Sequence, residues 1–336
     1  MAMEHPLWRT STALGLGTLL WLGASACGGD DDGSGGSAGS GGGTGGDGGS
    51  GGSGGSVVAP HCAALVAGMN TAFLVDGTER AFILDLPTEV ETAGPWPVVF
   101  NWHGLGDTAQ NMSSLIAGLV NDPSFPFIGV TPEDAEHAIA GQSFDWDVFS
   151  VEAATNTEAR LFDEIMICLD QRWGVAADHV HSVGFSLGGI ATDMLGVTRG
   201  DQFASTASYS GAYFSNSANT ATLGMLSSFV SWPAPTHGNS YAQMVMHGGT
   251  IDTFAMGPVT VHFDEYAVND QAYLNGMGHA VVLCDHGGGH TAPAAGMMPV
   301  QVFEFFRGRP RGTASSPYAG GLPSDFSSSC TFYGGS

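Results

Sequence analysis

The 336-residue chain carries 32 acidic and eight basic residues, a formal net charge of −24, and all eight cations are arginine. Such a surface repels nucleic-acid backbones and anionic lipid headgroups, which excludes nucleic-acid binding and leaves membrane contact to a covalently attached lipid alone. With 43% hydrophobic and 12% charged residues, the chain is long enough for one large or two ordinary domains under a largely neutral surface.

In chain order, a short and weakly basic stretch, Met1 to Arg9, precedes the uncharged apolar run Thr10 to Ala26. Together, residues 1–26 read as an export signal, with Ala24-Ser25-Ala26 supplying the small residues of a cleavage site. Cys27 follows at once and resembles the lipidated cysteine of bacterial lipoproteins. Plain secretion after the same cut and a membrane-spanning anchor are the alternatives, the latter disfavoured because the run is short and interrupted by glycine. The expected location is therefore extracytoplasmic, as an outer-membrane or cell-surface lipoprotein or as a secreted protein. Through residue 56 the chain is Gly, Ser, Ala, Thr and Asp with nothing apolar to bury, so 27–56 is expected to be a disordered tether. Its mean reach is roughly 30 Å.

From residue 57 to 312 short β-like runs alternate with helical stretches, the pattern of one α/β domain built on a mainly parallel sheet. An antiparallel hairpin is expected around Asp76-Gly77, then a strand over Trp96 to Trp102 and a helix over Gln110 to Val120. A strand at Phe127 to Thr131 leads to a helix over Asn156 to Trp173, with Leu161, Ile165 and Cys168 on one face. The series continues with the strand His179 to Val183, the helix Leu187 to Val197 and the strand Phe203 to Tyr209. It closes with strands at Tyr241 to Met246 and Ala280 to Leu283 and helices at His262 to Asn275 and Pro299 to Phe306. Besides Cys27 there are four cysteines, Cys62, Cys168, Cys284 and Cys330. In an exported chain this even number predicts two disulfides, with three pairings open and a buried free thiol the alternative for Cys168. The tail, residues 313–336, is expected to be held by a bridge through Cys330.

The chemistry concentrates in Val183-Gly-Phe-Ser-Leu-Gly-Gly189. Gly-x-Ser-x-Gly also occurs three times in the glycine-rich segment, at 35–39, 48–52 and 51–55, so the pattern alone means little. Only the copy at Ser186 follows a β-branched run and precedes a helix-capable one. That context makes it a nucleophile elbow, in which a tight strand-to-helix turn lifts the hydroxyl above the sheet edge. Loops at the carboxyl ends of parallel strands converge, and two more of them carry Asp252, after Met244-Val-Met-His-Gly-Gly-Thr-Ile, and His290, after Val281-Val-Leu-Cys284. A serine hydroxyl needs an imidazole to take its proton, and the imidazole needs a carboxylate to fix its tautomer and stabilise its cation. Asp264 and Asp285 compete with Asp252 for the acid role, but Asp264 falls in a helix and Asp285 lies too close to His290 along the chain. His286 competes with His290; three glycines between them argue against a helical zinc pair, so no metal and no cofactor is expected.

The backbone amides of Leu187, opening the helix, and Leu105, in Asn101-Trp-His-Gly-Leu-Gly-Asp107, are the expected oxyanion donors. His103 either orders that loop or faces substrate. Phe144 and Trp146 either wall an acyl or aryl group or belong to the core.

Trp102-His-Gly-Leu-Gly-Asp107, Gly184-Phe-Ser-Leu-Gly-Gly189, His247-Gly-Gly-Thr-Ile-Asp252 and Gly287-Gly-Gly-His-Thr-Ala-Pro293 together resemble the secreted polyhydroxybutyrate depolymerase and feruloyl esterase group of α/β-hydrolases. The likeness runs from about His61 to Arg309. It implies an α/β-hydrolase fold, with Ser186, Asp252 and His290 as nucleophile, acid and base and Leu105 and Leu187 as oxyanion donors. It further implies hydrolysis of carboxylic esters through an acyl-enzyme, such as feruloyl or acetyl esters of polysaccharides or short polyhydroxyalkanoate oligomers. The chain departs from that group at His179, where the group often has Arg, and at Ala292, where it often has Trp. A serine peptidase of the same fold and an inactive surface binding protein are the rival readings. The acyl group and the oligomeric state stay open at this stage.

Overall fold

The computed structural model describes residues 60–139, 141–235, 238–256, 259–291, 301–312, 318–324 and 326–334. The chain divides between Gly54 and Gly55, and every described residue belongs to the second unit. The expected signal, Cys27, the tether and Ala292 lie outside the described residues.

Helix α1 (Pro60–Ala63) leads into the hairpin β1 (Gly68–Val75) and β2 (Thr78–Asp85), followed by β3 (Trp96–Trp102), α2 (Ala109–Ser113) and β4 (Ile128–Pro132). A small hairpin, β5 (His137–Ile139) and β6 (Gln142–Phe144), precedes α3 (Thr157–Trp173), β7 (Val175–Phe185), α4 (Leu187–Arg199) and β8 (Ser205–Tyr209). Next come α5 (Ser217–Thr220), a 3-10 segment (Ala221–Phe229), β9 (Ala242–His247) and a second small hairpin, β10 (Thr253–Met256) and β11 (Val259–His262). The last elements are α6 (Phe263–Gly276), β12 (Val281–Asp285), α7 (Phe303–Arg307) and β13 (Cys330–Tyr333).

Nine strands form one sheet in the order β1-β2-β4-β3-β7-β8-β9-β12-β13. From β4 to β12 every pairing is parallel, while β1, β2 and β13 pair antiparallel at the margins. This is the α/β-hydrolase architecture expected from the alternation of elements. Every residue of β4 and β8 is buried, as strands covered by helices on both faces must be. The pleat divides the core accordingly. Val98, Phe100 and Trp102 pack with α3 and α4 on one face, and Val99, Met244, Met246 and Val282 pack with α2 and α7 on the other.

Helix α3 begins where the sequence predicts, because the Asn156 side chain accepts from the Glu158 and Ala159 amides and caps it. The helix expected over Gln110 to Val120 is shorter. It ends at Ser113, and the chain continues in tight turns, with the Leu115, Ile116 and Leu119 amides bonded three residues back. Adjacent serines at 113 and 114 and Gly118 favour turns over a continued helix. The tail also differs from a merely tethered one: β13 adds an edge strand to β12, paired from Val281↔Tyr333 to Cys284↔Cys330. Two disulfides form, Cys62–Cys168 and Cys284–Cys330, so Cys168 is no free thiol. The first ties α1 to α3 and the second ties β13 to β12. No described helix is long and apolar enough to cross a membrane.

Candidate active site

Ser186 sits between β7 and α4 with φ 56° and ψ −121°. A non-glycine residue in that region is strained, and such strain persists only where the surroundings impose it. Here they do: the Ser186 amide donates to Tyr209 O at 2.8 Å and its carbonyl accepts from the Ile190 amide at 3.0 Å. The turn is so tight that a Cβ at Gly184 would collide with the Gly188 carbonyl, and one at Gly188 with the Trp102 carbonyl. Both positions therefore require glycine.

The structure brings the three loops together at one sheet edge. Ser186 Oγ lies 3.0 Å from His290 Nε2, and His290 Nδ1 lies 2.8 Å from Asp252 Oδ1. The second carboxylate oxygen of Asp252 accepts from Ser210 Oγ at 2.8 Å and from the Gly248 amide at 2.8 Å. Burial pushes the Asp252 carboxyl up, but the bonds from His290, Gly248 and Ser210 outweigh it and hold the group below its ordinary range. Asp252 is thus set up as a fully hydrogen-bonded anion beside the imidazole.

The His290 ring is packed among aromatics. Phe263 stacks on it at 4.7 Å with the planes 9° apart, and Phe185 and Phe254 lie at 5.1 and 5.7 Å. His286 stands elsewhere: its Nδ1 accepts from the Gly288 amide at 3.2 Å, and burial lowers its pKa. Gly287 and Gly289, with φ of 67° and 72°, break any helix between the two histidines. Asp285 accepts from the Gly287 amide within its own loop.

Opposite the elbow, the 103–107 loop is fixed by four bonds. His103 Nδ1 donates to Gly104 O at 2.9 Å, the Asp107 amide donates to Gly104 O at 3.1 Å, the Gly106 amide donates to Asp145 Oδ2 at 2.6 Å, and Trp146 Nε1 donates to His103 O at 3.0 Å. None of them uses the Leu105 amide. Leu187 is the first residue of α4, so its amide is among those a helix leaves unsatisfied. Leu105, Leu187 and Ser186 all border one cavity.

That cavity is walled by Phe144 and Phe149, by Phe214 and Leu223 from the segment after β8, and by Met256 and Phe263 beyond Asp252. Of the candidate substrate contacts, Phe144 is on the wall. His103 and Trp146 are not: both rings are fully buried beneath the 103–107 loop, 4.7 Å apart, and support it. Ser210, Phe149, Phe214, Leu223 and Phe263 escape the sequence reading. A hydroxyl directly after the strand at Tyr209, on the same sheet edge as Ser186, was the available signal for Ser210.

Fold and site together give an α/β-hydrolase architecture with a serine, a histidine and an aspartate in line at one sheet edge. A family profile described as "Putative esterase" matches residues 75–275, more than half of the chain, and the chain belongs to that family. Feruloyl esterase D of Neurospora crassa is 27% identical over 161 residues, 45% of this chain and 52% of that protein. The chain thus spans about half the length of that curated relative. The crystal structure of native sOPH superposes with a TM-score of 0.62 at 18% identity, over 80% of this chain and 94% of the other. Native pOPH gives 0.61 at 17%, over 81% and 95%. These two likenesses are of fold.

Proposed function

We propose that this protein is a serine esterase that hydrolyses carboxylic esters through an acyl-enzyme on Ser186. The observation that carries the reading is the continuous relay from Ser186 Oγ to His290 Nε2 at 3.0 Å and from His290 Nδ1 to Asp252 at 2.8 Å. His290 Nε2 takes the hydroxyl proton as Oγ attacks the ester carbonyl, and Asp252 stabilises the imidazolium that forms. The oxyanion is held by the Leu187 and Leu105 amides, and each such donor is worth about 10²- to 10³-fold in turnover. The tetrahedral intermediate then expels the alkoxide, which receives the proton from His290. Water repeats the sequence on the acyl-enzyme and releases the acid.

The resemblance suggests acetyl and feruloyl esters of polysaccharides, the latter supported by the likeness to feruloyl esterase D, and short polyhydroxyalkanoate oligomers; of these, the apolar cavity beside Ser186 favours the acetyl esters. The enzyme acts outside the cytoplasm, held by a lipid on Cys27 and the 27–56 tether; two disulfides suit an oxidising compartment. In the test, Ser186→Ala is expected to abolish both ester hydrolysis and labelling by a fluorophosphonate probe. Activity that survives the substitution would refute the reading.

A further inference from the structure

The cavity beside Ser186 bears on the acyl group itself. It is partly open to solvent and lined almost wholly by apolar side chains. Among the described residues that border it, Ser186 alone has a polar side chain; the rest are aliphatic, aromatic or Met. His290 does not border it, whereas Phe263, stacked on the imidazole, does. A departing alcohol must lie within reach of Nε2 to be protonated. The cavity, on the side of Leu105 and Leu187, therefore falls to the acyl chain.

Resting on the esterase reading, we propose that this cavity selects short, unsubstituted aliphatic acyl groups over hydroxylated, aromatic or long ones. A 3-hydroxyacyl chain carries a hydroxyl that these walls give no hydrogen-bond partner, and a buried unpaired hydroxyl is unfavourable. A hydrophobic pocket discriminates against an added hydroxyl by about 10²-fold. A feruloyl group brings the same defect through its phenolic hydroxyl. The chain-length limit is set by the aromatic wall, in which Phe144 packs on Phe149 at 4.6 Å and Phe149 on Phe214 at 6.1 Å. Surroundings relax only partly around a truncated core residue, so Phe214→Ala should leave added space, and Leu223→Phe should remove some.

The experiment holds the leaving group constant, with kcat/KM measured on p-nitrophenyl acetate, butanoate, hexanoate, octanoate, 3-hydroxybutanoate and ferulate. The native protein is expected to prefer butanoate by about 10²-fold over 3-hydroxybutanoate and ferulate. Phe214→Ala should move the optimum to hexanoate or octanoate, and Leu223→Phe should move it to acetate. Should Phe214→Ala fail to fold, Leu223→Phe decides alone. A native enzyme that cleaves ferulate, 3-hydroxybutanoate or octanoate as well as butanoate, or an optimum that stays put in the folded variants, overturns the acyl assignment and leaves the esterase reading standing. Labelling of Ser186 by a fluorophosphonate with no ester hydrolysed overturns both.

Discussion

Three donors converge on Asp252, and the imidazole is only one of them. Ser210 Oγ and the Gly248 amide both bind the oxygen that His290 does not use, so they orient the carboxylate and keep it ionised. Asp252→Asn should lower kcat about 10⁴-fold by favouring the wrong imidazole tautomer. Ser210→Ala removes one hydrogen bond to a charged group, worth about 1.5 kcal/mol or roughly tenfold in kcat. Steady-state kinetics should find KM little changed in both. At this scale the three side chains that meet were legible in the sequence and their supports were not. Ser186, Asp252 and His290 are marked by glycines and by strands that end beside them. Ser210 acquires its role only when its turn, at φ 50°, meets a carboxylate 42 residues away in sequence. His103 and Trp146 show the converse, because an aromatic beside a catalytic loop looks the same in sequence whether it faces the cavity or the core.

Among the elements, the segment between β8 and β9 defines the acyl cavity and is anchored by α6. Asp270 on that helix accepts from the Tyr213 amide at 3.1 Å and from Asn219 Nδ2 at 2.6 Å. Burial pushes the Asp270 carboxyl up to about 8, against the pull of those bonds. Asp193, close by, is raised well above its ordinary value, also by burial first. A carboxyl with a raised folded pKa binds its proton more tightly folded than unfolded. Its contribution is therefore complete below about pH 4 and is withdrawn as the pH rises through about 8. Melting temperatures taken from pH 5 to 9 should fall with a steeper slope in the native protein than in Asp270→Asn. The long helices and central strands of this fold were readable from hydrophobic period. The 3-10 segment, α5 and the two small hairpins were not, since elements of three to nine residues are too short to show one.

For the molecule as a whole, the two disulfides lie far apart in the sheet order. Cys62–Cys168 braces α3, on the face that carries the elbow helix, and Cys284–Cys330 braces the last strand pair. The second closes a separation of 46 residues, for which loop entropy gives about 4 kcal/mol. Cys330→Ser should then lower the melting temperature by roughly 10 °C in differential scanning fluorimetry without reductant. Added reductant should bring the native protein toward the same value.

The sheet is finished differently at its two borders. Strand β1 breaks its own regularity with a register shift between Asn70 and Phe73, an irregularity that discourages further pairing. Strand β12 pairs without a register shift, and β13 occupies its outer side. Peeling away that last strand would uncover a ready template for a neighbouring copy of the chain. The covalent clasp at Cys330 thus keeps that template covered even when the strand's hydrogen bonds open.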